Sequence, residues 1–89
     1  MPAVHLIITG KVQGVFFRAS AKEKADALGI KGWVKNTPHG DVEIMANGEQ
    51  LAIEKFIDWC RKGPSKSRVV DVVVDEVDEG EFEGFRITR

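Results

Sequence analysis

Between His5 and Leu28 the apolar pattern changes period once, and it does so across a short segment bounded by Gly10 and Gly14. The run His5 to Thr9, HLIIT with Val4 before it, is almost continuously apolar and reads as a central strand ending at Gly10. GKVQG carries a glycine at each end and is penalised as regular helix or central strand, so it reads as a loop. From Phe17 to Leu28 the period becomes helical. Phe17, Ala21, Ala25 and Leu28 share one narrow face, charges lie between them, and Gly29 is the natural stop. A buried strand delivered through a tight loop into an amphipathic helix demands a layered α/β architecture.

The remaining segments complete the layer. Gly32 to Thr37 is a second strand candidate, and Pro38-His39-Gly40-Asp41 supplies turn chemistry before a third. There Val42, Ile44 and Ala46 alternate with Glu43 and Met45, so the two strands read as a hairpin. Asn47-Gly48 closes it. A second helix from Glu49 to Arg61 places Ile53, Phe56, Ile57 and Cys60 on one side, and Pro64 bars its continuation. Val70, Val72 and Val74 then alternate with Asp71, Val73 and Asp75 as a strand with one wet face, and Phe85 and Ile87 add a short terminal or edge strand. The order β-α-β-β-α-β plus a short fifth strand predicts the α/β (α+β) ferredoxin-like, split β-α-β plan. Its sheet is mostly antiparallel and four- to five-stranded, with two helices on one face. With no linker, low-complexity run or long repeat, residues 1–89 are expected to form a single domain.

Composition narrows the function classes. Hydrophobic residues at 43% and charged residues at 30% belong to an ordinary folded chain. No window approaches the roughly 20 apolar residues needed to cross a bilayer, and the N-terminus lacks the basic region of an export signal. The single Cys60 can form neither an internal disulfide nor a thiolate metal cluster, and it reads as a packing residue. A cytoplasmic location, no membrane association and a monomer are the resulting expectations. The formal net charge of −1 gives no global attraction for a nucleic acid, although Lys11, Arg18, Lys22 and Lys24 make the first quarter locally basic and residues 71–83 are acidic. A small anion needs only a few local donors.

The segment Gly10 to Arg18 offers them. Backbone N–H groups near a helix N-terminus bind an anion where glycine lets the chain curl without side-chain obstruction. The fork of Arg18, in or near the first helical turn, suits phosphoryl or carboxylate oxygens. A cation at that end of a helix opposes the dipole unless an anion answers it. This is not the nucleotide P-loop, because Gly14 is followed by Val15 and not by Lys-Ser or Lys-Thr. On this stretch alone, two glycines shaping a turn beside a surface arginine is an equal reading. Asn36, near the end of the second strand, has an amide able to orient a water, but beside Thr37-Pro38 it is also an ordinary turn residue. Together the arginine and the amide hold the ingredients for stabilising a phosphoryl group and placing its attacking water.

Two long signatures add a resemblance. Gly10-Lys11-Val12-Gln13-Gly14-Val15-Phe16-Phe17-Arg18, followed by GWVKNTPHGDVEIMANG from Gly32 to Gly48, closely resembles the acylphosphatase family, and the likeness extends through GPSKSRV to the closing GFRI. The resemblance implies the ferredoxin-like plan and hydrolysis of the carboxyl–phosphate bond of acyl phosphates. By motif position it makes Arg18 and the backbone donors of Val12, Gln13, Gly14, Val15, Phe16 and Phe17 the phosphate-binding group, with Asn36 positioning the attacking water. It implies an acyl phosphate and inorganic phosphate as the small-molecule partners, no cofactor and no metal. Phe16 occupies a signature position often small in similar proteins, where bulk narrows access or changes packing.

Other residues carry less. His39 falls in a hairpin turn, His5 has no second ligand nearby, and the C-terminal carboxylates lack calcium-loop spacing. Trp33 and Trp59 read as packing residues. Two alternatives remain at this point: a carbamoyl-phosphate-hydrolysing domain, as in hydrogenase maturation carbamoyltransferases, and a noncatalytic small-anion-binding module. An RNA-binding version of the fold would want exposed sheet aromatics and positive charge, and a metal carrier would want paired soft ligands.

Overall fold

A computed structural model describes residues 2–78 and 82–88. The elements run β1 (Ala3–Lys11), α1 (Phe17–Leu28), β2 (Lys31–Asn36), β3 (Val42–Asn47), α2 (Gln50–Lys62), β4 (Arg68–Val77) and β5 (Phe85–Ile87). The strand order is β4-β1-β3-β2-β5. β1 pairs antiparallel with β3 and β4, β2 pairs antiparallel with β3, and β5 lies parallel to β2. This is the expected five-stranded, mostly antiparallel ferredoxin-like sheet. Of the acidic stretch 71–83, residues 79–81 lie outside the described residues.

The period-two pattern decides which face is covered. Val4, Leu6 and Ile8 of β1, Val42, Ile44 and Ala46 of β3, and Val34 of β2 are all buried. They meet Phe17, Ala21 and Ala25 of α1 and Ile53, Phe56 and Cys60 of α2 in one cluster. Alternating side chains on a strand share a face, so one hydrophobic layer forms between sheet and helices. Alanines along α1 let its backbone approach the sheet closely. Trp59 links the two helices and the last strand: its ring lies 5.3 Å from Phe17 and 6.2 Å from Phe56, which meets Phe85 edge-on at 5.8 Å.

Two readings are corrected. β1 does not end at Gly10: pairing runs on to Lys11, with Gly10 opposite Val69 and Lys11 opposite Arg68 of β4. The register slips there, Thr9 facing Asp71 and Gly10 facing Val69, so Val70 is an extra residue in a β-bulge. Gly10 makes this possible. A Cβ on it would lie 2.1 Å from the Arg68 carbonyl oxygen and 2.8 Å from the Val70 nitrogen, and its φ is 124°. The bulge also breaks the alternation of β4, so that Val72 is buried while Val70 is 74% exposed rather than sharing the core face. Its consequence for the site is direct: β1 runs one bulge further before releasing the chain into the loop that precedes α1.

Candidate active site

The loop between β1 and α1 is pinned from beneath and open above. Val12 and Val15 are buried and anchor it to the core, while Gly14 is exposed. Gly14 has φ 73° and Phe16 φ 62°, so left-handed residues alternate with ordinary ones across the turn. Phe16 is the only non-glycine with positive φ among the described residues. Successive residues of alternating hand make a concavity lined by backbone N–H groups. Phe16 is the N-cap of α1, yet no side chain caps the helix. Among the described residues, the amides of Gln13 through Phe17 donate to no backbone or side-chain acceptor. Donors at a helix start normally find a side chain, water or ligand.

Arg18 sits in the first turn of α1, where no acidic residue offsets it. It is half-buried, and no carboxylate among the described residues pairs with it. Phe17 beneath it is locked into the core against Trp59. Asn36 arrives from another direction, at the end of β2 opposite Val42. The turn that follows is closed by its own hydrogen bonds: the Thr37 N–H donates to the Asp41 carbonyl at 2.9 Å and the Asp41 N–H to Thr37 Oγ1 at 3.1 Å.

Loop and hairpin are tied together by Gln13. Its Nε2 donates to the Thr37 carbonyl and to the Asp41 carbonyl, both at 2.9 Å. Reading the sequence alone assigns Gln13 only a backbone role. Its side chain is instead a strut between the two signatures, which the partners' separation of 24 and 28 residues conceals.

A cleft of about 310 Å³ opens at this junction. Val12, Gly14, Phe16, Phe17, Arg18, Ala19 and Asn36 border it, and Ile87 of β5 closes one side. Six of the expected site positions therefore meet around one cavity. Gln13 and Val15 do not border it, since their side chains serve the strut and the core. Ile87 was not expected there.

A statistical model of the Acylphosphatase family matches residues 4–87. The chain belongs to the acylphosphatase family. It is similar to the acylphosphatase of Methylococcus capsulatus, 44% identical over 90 residues that cover 100% of this chain and 98% of the relative. The crystal structure of acylphosphatase from Bacillus subtilis matches with a TM-score of 0.96 at 37% identity, covering 100% of both chains. HypF of T. kodakarensis matches with a TM-score of 0.87 at 30% identity, covering 100% of this chain and 12% of that chain. Acylphosphatase membership bears out the expected fold, family and enzyme class, and the carbamoyl-phosphate and binding-module alternatives are not favoured.

The other chemistry-bearing residues lie elsewhere. His39 is exposed in the hairpin turn, its N–H donating to Thr37 Oγ1 at 3.3 Å. His5 is on the sheet face away from the helices, with Nε2 2.7 Å from Glu43 Oε2. That hydrogen bond, followed by the neighbouring Lys35, holds the Glu43 carboxyl below its ordinary range against the opposing effect of burial. Cys60 is buried, and desolvation pushes its thiol up, out of the nucleophilic range. Among the described residues, no cluster of three or more His, Cys, Asp or Glu is placed to hold a metal. No helix among them is long and apolar enough to cross a membrane.

Proposed function

We propose that the cleft between the first-helix loop and the β2–β3 hairpin hydrolyses acyl phosphates by in-line attack of a positioned water on phosphorus. The observation that carries this reading is that Arg18 and Asn36 border the same cleft, beside loop amides with no internal acceptor.

The phosphoryl group lies in the loop, accepting hydrogen bonds from the amides of residues 12–17 and from the Arg18 guanidinium. Charge spread over its equatorial oxygens in the transition state meets donors already in place, so little reorganisation is needed. Asn36 accepts a hydrogen bond from the attacking water with its amide oxygen and aligns the water opposite the leaving group. The water oxygen forms a bond to phosphorus as the bond from phosphorus to the carboxyl oxygen breaks. The carboxylate departs with the electron pair, and the water's proton ends on the transferred phosphate. A carboxylate leaves easily, which suits a site whose two histidines lie in a turn and on the far sheet face and do not border the cleft.

In this reading residues 1–89 act as one domain, a monomer in the cytoplasm, with acyl phosphate and inorganic phosphate as the partners and no nucleic acid, membrane or metal. The formal net charge of −1 supports a small anion over a polyanion.

The test is steady-state hydrolysis of benzoyl phosphate in EDTA by the wild-type chain, Arg18→Ala and Asn36→Ala, with thermal melts of all three. Arg18→Ala is expected to lose phosphate binding and at least 100-fold in kcat/KM while still folding, because it removes a cation opposed to the helix dipole, worth roughly 0.3–1 kcal/mol. Asn36→Ala is expected to lower kcat by an amount equivalent to about 3 kcal/mol with little change in melting. Normal kcat/KM in a folded Arg18→Ala protein would reject the mechanism.

A further inference from the structure

The same cleft is also lined by exposed apolar side chains that the phosphoryl chemistry leaves unused. Five large apolar side chains are exposed among the described residues: Phe16, Leu51, Val70, Val73 and Ile87. Two of them, Phe16 at 77% and Ile87 at 44% exposure, border the cleft that holds Arg18 and Asn36. They come from opposite ends of the chain. Phe16 stands at the start of α1 in a left-handed conformation that is costly for a side chain with a Cβ. No burial of the ring and no capping bond compensates that strain. Strain held at a ligand-facing position is a pointer to function.

Ile87 reaches the cleft because of the parallel β2–β5 pairing. Its register partner is Val34, and the Thr88 N–H donates to the Val34 carbonyl at 2.8 Å. Phe85, two residues earlier on the same face, is buried against Phe56. Ile87 continues that face to the cleft, where it remains 44% exposed.

We propose that Phe16 and Ile87 form the subsite for the acyl group and bias the enzyme toward acyl phosphates whose acyl group is uncharged and either aromatic or extended aliphatic. This rests on the acyl-phosphate reading of the site. With phosphorus at the loop, the substituent on the carboxyl carbon must lie along the rest of the cleft, whose exposed apolar lining is the Phe16 ring and the branched Ile87 side chain. An aryl or alkyl substituent there removes apolar surface from water on both partners. A methyl group covers little of it, and a charged substituent finds no counter-charge on these two side chains.

The experiment compares kcat/KM for benzoyl phosphate and acetyl phosphate, with competitive inhibition by inorganic phosphate, in the wild type, Phe16→Asn, Ile87→Ser and the double variant. Asn tolerates the left-handed backbone, and Ile87 is exposed, so both single variants are designed to fold. Each is expected to lower the benzoyl-to-acetyl ratio by roughly fivefold, mainly through KM for benzoyl phosphate, and the double variant by more. An unchanged ratio in both single variants, while the wild type turns over both substrates, overturns the subsite. Equal loss on both substrates with weakened phosphate inhibition also overturns it, by assigning the residues to the loop's shape. Turnover of neither substrate by the folded wild type overturns the proposed activity together with the subsite.

Discussion

Gln13 shows how much of a site can rest on a side chain that never borders its cavity. Both N–H bonds of its amide are spent on carbonyls of the hairpin that carries Asn36, so the loop before α1 and the end of β2 keep their separation through one rigid group. Gln13→Ala is expected to destabilise the fold by about 1–2 kcal/mol, because the Thr37 and Asp41 carbonyls lose a donor. Under the proposed mechanism it should lower kcat more than it raises KM, since water placement would suffer before phosphate binding. Gln13→Glu sharpens the test. A carboxylate there faces two carbonyl oxygens and donates nothing, so at neutral pH it should be worse than alanine in both kcat and melting temperature. A glutamate variant as active as the wild type would show that the strut does not act through its donors. Arg18 and Asn36 were legible in the sequence because each sits in a long, ordered signature. Gln13 and Ile87 were not, because one acts on backbone atoms of a distant segment and the other reaches the site only through a three-residue parallel pairing.

The elements divide into those that local pattern determines and those that a distant partner determines. Both helices and the β2–β3 hairpin follow from apolar period and turn residues, and their bounds fall within a residue or so of expectation. β4 does not, because its bulge at Val70 depends on Gly10 in another strand. The two loop-flanking glycines therefore do different work, and their substitutions separate it. A Cβ at Gly10 meets backbone atoms of β4 at 2.1 and 2.8 Å, whereas one at Gly14 meets nothing within 4 Å. Gly14→Ala should cost only its left-handed φ, roughly 1–2 kcal/mol. Gly10→Ala must in addition push two strands apart or undo the bulge, which should cost roughly 3 kcal/mol or more. Urea denaturation of the two variants checks the order; Gly14→Ala as the less stable would refute the account of the bulge.

At the scale of the molecule, the candidate cleft and the ion pairs that should govern acid stability lie on different sides of the sheet. The helix-covered face carries the core and, at one end, the cleft; the opposite face is cross-linked by polar groups. His5 of β1 and Lys35 of β2 both reach Glu43 of β3, at 2.7 and 3.6 Å, and the Lys35 ammonium lies 5.3 Å from the centre of the Trp33 ring. Because folding lowers the Glu43 carboxyl below its usual 4.5, the folded state binds its proton less readily than the unfolded state. The stabilisation is complete above that value and is lost as the pH falls through the lowered folded-state value. The pair is partly solvated, with side chains 25% and 24% exposed, so its worth should stay below about 1 kcal/mol and shrink with added salt. Wild type should therefore melt above Glu43→Gln near pH 7, and the gap should close below pH 4.5, while kcat/KM for benzoyl phosphate stays equal in the two proteins. A gap independent of pH would place the stabilisation in packing and not in charge, and a loss of turnover in Glu43→Gln would show that the two faces are coupled.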